Sequence, residues 1–295
     1  MKDGYNVNKS ASIQRYPDIS SFCEKITVIN HHKNKTKIND IIKQTDETSS
    51  DINYDLKIII TIPAFNEEET IENVILRIRK SMDNTKYCYN YVILVVDDGS
   101  GDETAEIATK AGAIVYSHPE NYGLAETFRT EMKLCTALGS DIIVHTDADG
   151  QYWSEQIPNL ILEVEKGYDL VLGSRFKGTI EYMTGIKRFG NKAFSLLISL
   201  LTRLKISDGQ TGFRAFTQEV AKGIQIMSSH TYTQEQIIRA AQNNFSIKEI
   251  PIHFTKRNNG KSRLMRNPFE YAFRAWRDII RIFLRKKLKR KNNFN

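Results

Sequence analysis

From Leu56 onward, short apolar runs alternate with segments of helical character. Runs rich in β-branched and aliphatic residues predict five strands at Lys57–Ile62, Tyr91–Val96, Ala113–Tyr116, Ile142–Thr146 and Asp169–Gly173. The segments between them predict four helices at Glu69–Ser81, Asp102–Ala111, Leu124–Leu138 and Ser154–Lys166. Because the strands are almost continuously apolar, the pattern favours an α/β fold with a mostly parallel sheet covered by helices on both faces.

The alternation becomes less regular after Arg175, where the pattern predicts helices at Lys187–Leu204, Gln218–Met227 and Gln234–Asn243. A turn-rich segment, Ser207–Arg214, interrupts these helices, a last strand is predicted at Ile247–Phe254, and a long terminal helix at Asn267–Lys291. Residues 1–54 are polar and weakly periodic, which predicts an extension that is partly disordered. The expected organisation is therefore this extension, one α/β domain over 55–266, and a helix with a tail over 267–295.

Two candidate capping boxes follow the first two strands. Asn66-x-x-Glu69 and Ser100-x-x-Glu103 each place a side chain that can cap a helix three residues before a glutamate. The sequence therefore predicts helix starts directly after both strands.

Polar clusters fall where four of the predicted strands end. They are Pro63–Glu67, Asp97–Gly101, Asp147–Gln151 and Gly173–Arg175. Ligands in open α/β sheets bind beyond the carboxyl ends of the strands, so these clusters are the candidate site.

Asp147-Ala148-Asp149 places two carboxylates on one side of an extended chain. Oxygen ligands suit Mg²⁺ or Mn²⁺, and an ion held by few protein ligands is usually shared with a phosphate-bearing substrate. Asp97 and Asp98 lie before Gly99-x-Gly101, which lacks the third glycine of a dinucleotide fingerprint. These two aspartates suit hydrogen bonds to a base or ribose, and equally suit turn or capping positions.

Charge is distributed unevenly along the chain. From Lys256 onward there are fourteen Lys and Arg against Glu270 and Asp278, a net of +12, so the remainder of the +7 chain carries 7 − 12 = −5. A basic terminal segment on an acidic body predicts an anionic partner.

The longest apolar stretch, Ala193–Leu201, is too short to span a bilayer. Three isolated cysteines and a polar N-terminus without a signal-peptide core predict a cytoplasmic protein.

The predicted terminal helix has an aromatic and apolar stripe beside a basic one. The apolar stripe consists of Phe269, Phe273, Trp276, Ile280 and Phe283. This pattern is typical of a helix in a membrane interface, although its first turns are equally suited to packing on the core. Because no RNA- or DNA-binding motif is recognisable, a lipid surface is preferred to nucleic acid as the partner.

Eight motifs in order give the chain a family resemblance. They are Pro63–Glu67, Val96–Ser100, Asp147–Gln151, Gly173–Arg175, Arg188-x-x-Asn191, Asp208–Arg214, Lys256-Arg257 and Gly260–Arg263. In this order and spacing the sequence resembles the family 2 glycosyltransferases, in particular their dolichol-phosphate mannose synthase-like, polyprenyl-phosphate branch. The resemblance covers about Leu56 to Leu284. It implies a GT-A fold, a nucleotide-sugar donor, a divalent metal and inversion at the anomeric carbon.

The resemblance also implies roles for individual residues. The nucleotide sugar would be bound by Pro63, Phe65, Glu67, Asp97, Asp98, Asp147 and Gln151. The metal would be held by Asp147 and Asp149, with Gln151 close enough to contact it. The acceptor and diphosphate contacts would be Arg175, Arg188, Arg257 and Ser262. The catalytic set is then Asp149, Arg175 and Asp208, with Asp208 as the general base if the acceptor is a hydroxyl.

The expected function is metal-dependent transfer of a hexose from a UDP- or GDP-sugar to a polyprenyl phosphate at the cytoplasmic membrane face. Two alternatives remain: transfer to a saccharide hydroxyl, and a non-catalytic subunit that binds nucleotide sugars. Glu126 and Glu131 depart from the small residues usual in relatives at these positions, which puts the packing of this helix in question.

Overall fold

The computed structural model describes residues 56–85, 89–256 and 276–283 of the 295-residue chain. The predicted extension over 1–54 and most of the predicted terminal helix lie outside the described residues. Arg257 and Ser262, two of the predicted acceptor contacts, lie outside them as well.

Seven strands and eight helices make up the described part of the chain. The strands are β1 Lys57–Ala64, β2 Asn90–Asp97, β3 Ile114–Ser117, β4 Ile142–His145, β5 Leu170–Ile180, β6 Arg214–Thr217 and β7 Ile247–Phe254. The helices are α1 Ile71–Asp83, α2 Thr104–Lys110, α3 Leu124–Ala137, α4 Ile157–Glu165, α5 Gly185–Thr202, α6 Gln218–Gly223, α7 Tyr232–Gln242 and α8, residues 276–283. The predicted α/β class is confirmed, and every predicted strand is present.

The strands form one mostly parallel sheet in the order β3-β2-β1-β4-β6-β5-β7. β1 pairs in parallel with β2 and β4, β2 with β3, and β5 with β7. β6 lies between β4 and β5 and runs antiparallel to both. The sequence did not predict β6. Its first residue, Arg214, is the last residue of the turn-rich segment, and its last residue, Thr217, directly precedes α6. β6 runs antiparallel to its neighbours and begins next to the residue where β4 ends. The segment that precedes β6, Asp208–Gly212, therefore lies at the edge where the parallel strands end.

Apolar side chains cover both faces of this sheet. Alternate residues of β1 point to opposite faces, so Ile58 and Ile60 belong to one buried cluster and Ile59 to the other. α1 and α4 contribute to the first cluster, and α3, α5 and α7 contribute to the second. The carboxyl ends of the central strands are thereby held on a rigid base.

The two predicted capping boxes are wrong. α1 begins after Thr70 and α2 after Glu103, and neither cap residue accepts a side-chain hydrogen bond. Asn66 and Ser100 instead take part in hydrogen bonds between the two loops. The backbone amide of Asn66 donates to Ser100 Oγ at 2.9 Å, and the backbone amide of Gly101 donates to Asn66 Oδ1 at 2.8 Å. These bonds fix the β1 and β2 loops against each other at the sheet edge.

α8 is the part of the predicted terminal helix that the structure describes. Ile279 and Ile282 are buried in the same cluster as α3 and α7, whereas Trp276 is exposed. The described turns of this helix therefore pack on the core. In the described ranges, no helix is long and apolar enough to cross a membrane.

A polar group of side chains is buried between α3 and β4. Glu131 Oε2 lies 2.8 Å from His145 Nδ1, and both side chains are fully buried. The other ring nitrogen of His145 lies 3.3 Å from the Tyr232 hydroxyl. Glu131 is therefore the buried partner of His145, which lies two residues before Asp147. This pairing explains how the helix packs with a glutamate at a position where relatives usually have a small residue.

We expect Glu131→Ala to lower the free energy of unfolding by about 3 kcal/mol, because His145 loses a buried partner and a void is left. Glu126→Ala is the matched control on the same helix: its partly exposed pair with Arg129 is worth at most about 1 kcal/mol. Urea unfolding of both variants measures the difference. Equal losses in the two variants would contradict the assignment.

Candidate active site

A cleft of about 700 Å³ opens at the carboxyl ends of β1, β2, β4 and β5. Eight of the predicted site residues line it: Pro63, Phe65, Glu67, Asp98, Asp147, Asp149, Gln151 and Arg175. These residues come from four separate segments of the chain, and the sheet brings them together. The volume is in the range of small-molecule sites in proteins.

Asp147 and Asp149 form the acidic floor of this cleft, directly after β4. Burial, reinforced by the charge of Asp149, raises the pKa of Asp147 to about 6. The Asp147 carboxylate packs against Gly212, where a Cβ would come within 2.8 Å of Oδ1. Asp149 Oδ1 accepts a hydrogen bond from the Gln151 amide at 3.1 Å, which orients the turn. Any side chain at position 212 would push Asp147 out of place.

This donor set fits a hard divalent cation that is shared with a ligand. In the described ranges no cluster of three or more His, Cys, Asp or Glu could hold a metal. Two carboxylates therefore have to be supplemented by water and by ligand oxygens, as Mg²⁺ and Mn²⁺ sites on phosphate substrates commonly are. Gln151 lines the cleft, and its Nε2 donates to the Thr255 carbonyl at 3.1 Å. Its contact with metal stays a prediction.

Asp98 supports one wall of the cleft from within. Its carboxylate lies 2.7 Å from His118 Nδ1 and accepts the amides of Tyr122 at 3.0 Å and Gly123 at 2.8 Å. These bonds shape the loop that leads into α3. Asp97 is buried, does not line the cleft, and accepts the Ser100 amide at 3.2 Å, so it serves the turn. Direct contact of either aspartate with a base or ribose stays a prediction.

Arg175 and Asp208 form a buried ion pair in the middle of β5, where the buried part of that strand ends. Arg175 Nε donates to Asp208 Oδ2 at 2.7 Å and Nη2 donates to Oδ1 at 2.8 Å, while the Arg175 amide donates to Oδ2 at 3.0 Å. Asp208 is fully buried and does not line the cleft, and both of its oxygens accept hydrogen bonds from Arg175. This geometry favours an orienting role for Asp208 over the predicted use as a general base, which stays a prediction.

α5 contributes a cation that sequence analysis missed. Lys187 and Asn191 lie one turn apart and line the cleft, whereas the predicted acceptor contact Arg188 is exposed outside it. Lys256 and Tyr182, neither assigned from the sequence, also line the cleft. The motif Arg188-x-x-Asn191 identified the right helix, but the position facing the cleft depends on how the helix packs.

Comparison with known proteins agrees with this geometry. Residues 59–224 match the family described as Glycosyl transferase family 2. The dolichyl-phosphate hexose transferase of Haloferax volcanii is 30% identical over 233 residues, which covers 78% of this chain and 95% of that protein. A UDP-N-acetylglucosamine–dolichyl-phosphate N-acetylglucosaminyltransferase of Methanococcus voltae is 32% identical over 222 residues, covering 67% and 85%.

A solved structure supports the fold. Glucosyl-3-phosphoglycerate synthase from Mycobacterium tuberculosis, solved with Mn²⁺, uridine diphosphate and phosphoglyceric acid, superposes with a TM-score of 0.59 at 22% identity, covering 78% of each chain. The fold is therefore the GT-A fold that the resemblance implied. Because the family match spans more than half of the sequence, this chain belongs to glycosyl transferase family 2 and is a glycosyltransferase.

We expect the affinity for Mn²⁺ to fall as the pH drops below about 6. Asp147 has to lose its proton to bind a cation, and its pKa is raised to about 6, so a proton competes with the metal below that pH. The expected loss is about tenfold per pH unit below 6, with little change above pH 7. Calorimetric titration from pH 5 to 8 measures it, with Asp149→Ala as the non-binding control. A flat profile down to pH 5 would contradict the role of Asp147.

Replacing Asp208 by Asn separates an orienting role from a base. If Asp208 orients Arg175, turnover of Asp208→Asn falls by about 100-fold at every pH, because Arg175 loses its bidentate support. The shape of the pH–rate profile then stays the same as in the wild type. A general base would produce a different result, namely loss of the acidic limb of the profile.

Proposed function

We propose that this glycosyltransferase moves a hexose, with inversion, from a nucleoside diphosphate sugar to a polyprenyl phosphate at the cytoplasmic face of a membrane. The names of its relatives in Haloferax and Methanococcus, which specify dolichyl phosphate, support this acceptor class. The UDP and Mn²⁺ bound by the structurally similar synthase support the donor and the metal. The chemistry of the cleft supports the two halves of the reaction separately.

The donor half occupies the acidic floor. Phe65 and Pro63 offer apolar surfaces near the β1 end for the base, and Asp147 and Asp149 would hold the cation on the diphosphate. A bound Mg²⁺ or Mn²⁺ would supply Lewis-acid stabilisation of the charge that grows on the departing diphosphate. Arg175 faces the same space and adds a fixed positive charge.

The acceptor half is supported by one observation, which is that among the described residues of the cleft the carboxylates have other partners or belong to the acidic floor, while several cations line it. The carboxylates lining the described part of the cleft are Glu67, Asp98, Asp147 and Asp149. Asp98 is bonded by His118 and two amides, and Glu67 accepts a hydrogen bond from the Thr70 hydroxyl at 3.1 Å.

The cations on this side of the cleft are Arg175, Lys187 and Lys256. A phosphate monoester is already ionised near neutral pH, so its attack needs no general base and is favoured by cations that hold it. A sugar hydroxyl would need the base that Asp208, paired with Arg175, cannot provide.

The proposed step is a single displacement. A phosphate oxygen of the acceptor forms a bond to the anomeric carbon as the bond from that carbon to the diphosphate oxygen breaks. The electron pair of the broken bond leaves with the nucleoside diphosphate, and no proton has to be removed. Attack from the face opposite the leaving group inverts the anomeric configuration.

The acceptor class can be tested with the purified full chain, Mn²⁺, a panel of UDP- and GDP-hexoses and a short water-soluble polyprenyl phosphate. We expect a glycosyl phosphate product that is identified by mass, and no product with saccharide acceptors. Asp149→Ala should abolish the transfer. A product formed only with saccharides would refute the lipid acceptor and favour the hydroxyl-glycosylating alternative.

Two neighbouring residues on α5 provide a sharper test. Lys187→Ala should raise KM for the soluble polyprenyl phosphate by about tenfold, because one charge-assisted contact to phosphate is lost. Arg188→Ala should change it by less than about twofold, since Arg188 does not line the cleft. KM for the nucleotide sugar should be unchanged in both variants. The reverse order of effects would support the assignment made from the sequence motif.

A further inference from the structure

α5 exposes an unusual amount of apolar surface. Ile186 and Phe189 are each 77% exposed, Leu200 is 69% exposed and Leu196 is 62% exposed. Elsewhere in the described residues, large exposed apolar side chains such as Leu76 and Met227 occur in different elements, on α1 and after α6. Scattered exposed apolar side chains need no explanation, but four large ones on a single helix do.

The four side chains lie on one face. Their spacing, with the exposed Ala193 between them, keeps them within one narrow sector of the helix. Phe194 and Ile198 point the opposite way and are buried in the core. α5 is therefore apolar on two opposite faces, of which only one is packed.

The charge beside the exposed face has a single sign. Between Tyr182 and Ser207 there is no Asp or Glu, and the basic residues of this segment are Lys187, Arg188, Lys192, Arg203 and Lys205. Apolar side chains flanked by basic ones complement a surface that is negative outside and apolar beneath. The same feature disfavours a second copy of this chain, because two such segments would face each other with like charge.

The position of α5 connects this face to the cleft. Tyr182 and Lys187 line the cleft, while Ile186 and Phe189, on adjacent turns, face solvent. The helix is 18 residues long, or about 27 Å at 1.5 Å per residue, and it has the dimensions to lie along a surface. A lipid whose phosphate reaches Lys187 would have its hydrocarbon chain beside this apolar stripe.

We propose that the outer face of α5 is the surface by which this protein docks on an anionic bilayer. Ile186, Phe189, Leu196 and Leu200 insert among the acyl chains, and the basic residues contact lipid phosphates. This places the mouth of the cleft at the membrane. The inference rests on the proposed function only for the reason why docking is useful, since binding to a bilayer needs neither donor nor acceptor.

The test is flotation of the full chain with vesicles of phosphatidylcholine and phosphatidylglycerol that contain no polyprenyl phosphate. Phe189→Ser and Ile186→Ser should each weaken the partition coefficient by about tenfold, since each removes a large apolar group from the bilayer. Leu76→Ser is the matched control, because Leu76 is also exposed but lies on α1, and it should change binding by less than about twofold. Wild-type binding should weaken as salt rises.

A second readout locates the contact. Phe189→Trp should be quenched by brominated acyl chains, whereas Leu76→Trp should not be. Because every variant keeps the basic C-terminal residues, binding through those residues alone would leave all serine variants equal to the wild type and would overturn the proposal. Conversion of a dimer to a monomer by Phe189→Ser, with vesicle binding unchanged, would also overturn it and identify an interface between copies.

Failure of this proposal and failure of the proposed function give different results. Phe189→Ser should transfer sugar to the soluble short-chain acceptor at the wild-type rate, because its side chain does not line the cleft. If vesicle binding depends on Phe189 but no polyprenyl phosphate is glycosylated, the docking surface stands and the acceptor assignment fails. If polyprenyl phosphate is glycosylated but vesicle binding is insensitive to Phe189, the acceptor assignment stands and the docking surface fails.

Discussion

The buried pair of Arg175 and Asp208 is the interaction on which the cleft depends. Removing two charges from water is costly, and a bidentate pair with an additional backbone bond offsets that cost. Arg175 ends the buried part of β5, and Asp208 lies in the segment that returns to form β6. The Asp208 amide donates in turn to Glu249 Oε1 of β7 at 2.9 Å. Through its carboxylate and its backbone amide, Asp208 thus connects the segment before β6 to both β5 and β7, and its carboxylate holds the guanidinium of a cleft-lining arginine.

In the segment that follows Asp208, the small residue Gly212 and the large residues Phe213 and Arg214 are adjacent, and each has its own packing environment. Gly212 passes close to the Asp147 carboxylate, and its amide donates to the Tyr152 hydroxyl at 2.9 Å. Tyr152 stacks on Phe213 with ring centroids 5.2 Å apart. Arg214 then enters the core, where Nη1 donates to Gln236 Oε1 at 2.7 Å. Each residue of this motif therefore supports the acidic floor, directly or from behind.

The sequence predicted what depends on local pattern and missed what depends on packing. Continuous apolar runs identified the parallel strands, and the polar clusters at their ends identified the site. β6 was missed because it is four residues long, begins with Arg214 and has no alternation of its own. The two capping boxes were wrong since Asn66 and Ser100 have partners in the opposite loop. Pattern alone reports no contact between loops that are more than thirty residues apart.

The choice of Arg188 over Lys187 has a similar cause. α5 is apolar on two faces, so its periodicity does not say which face is buried, and the position that meets the cleft cannot be derived from spacing. The burial of Phe194 and Ile198 sets the rotation of the helix, and with it the position of Lys187 at the cleft. The pairing of Asp208 was missed for a related reason, because a carboxylate before a glycine gives no indication that an arginine from another strand will bind it.

The arrangement of charge in the cleft constrains the order of events in the proposed reaction. Asp147 and Asp149 present negative charge that would repel an acceptor phosphate, and burial makes this charge unfavourable, as the raised pKa of Asp147 reflects. Asp147 and Asp149 would hold the divalent cation of the donor complex, and its positive charge would offset this repulsion. Lys187 and Lys256, which line the same cleft, would then attract the acceptor phosphate of the proposed reaction. For the proposed reaction, this distribution of charge would favour formation of the donor complex before the acceptor phosphate binds.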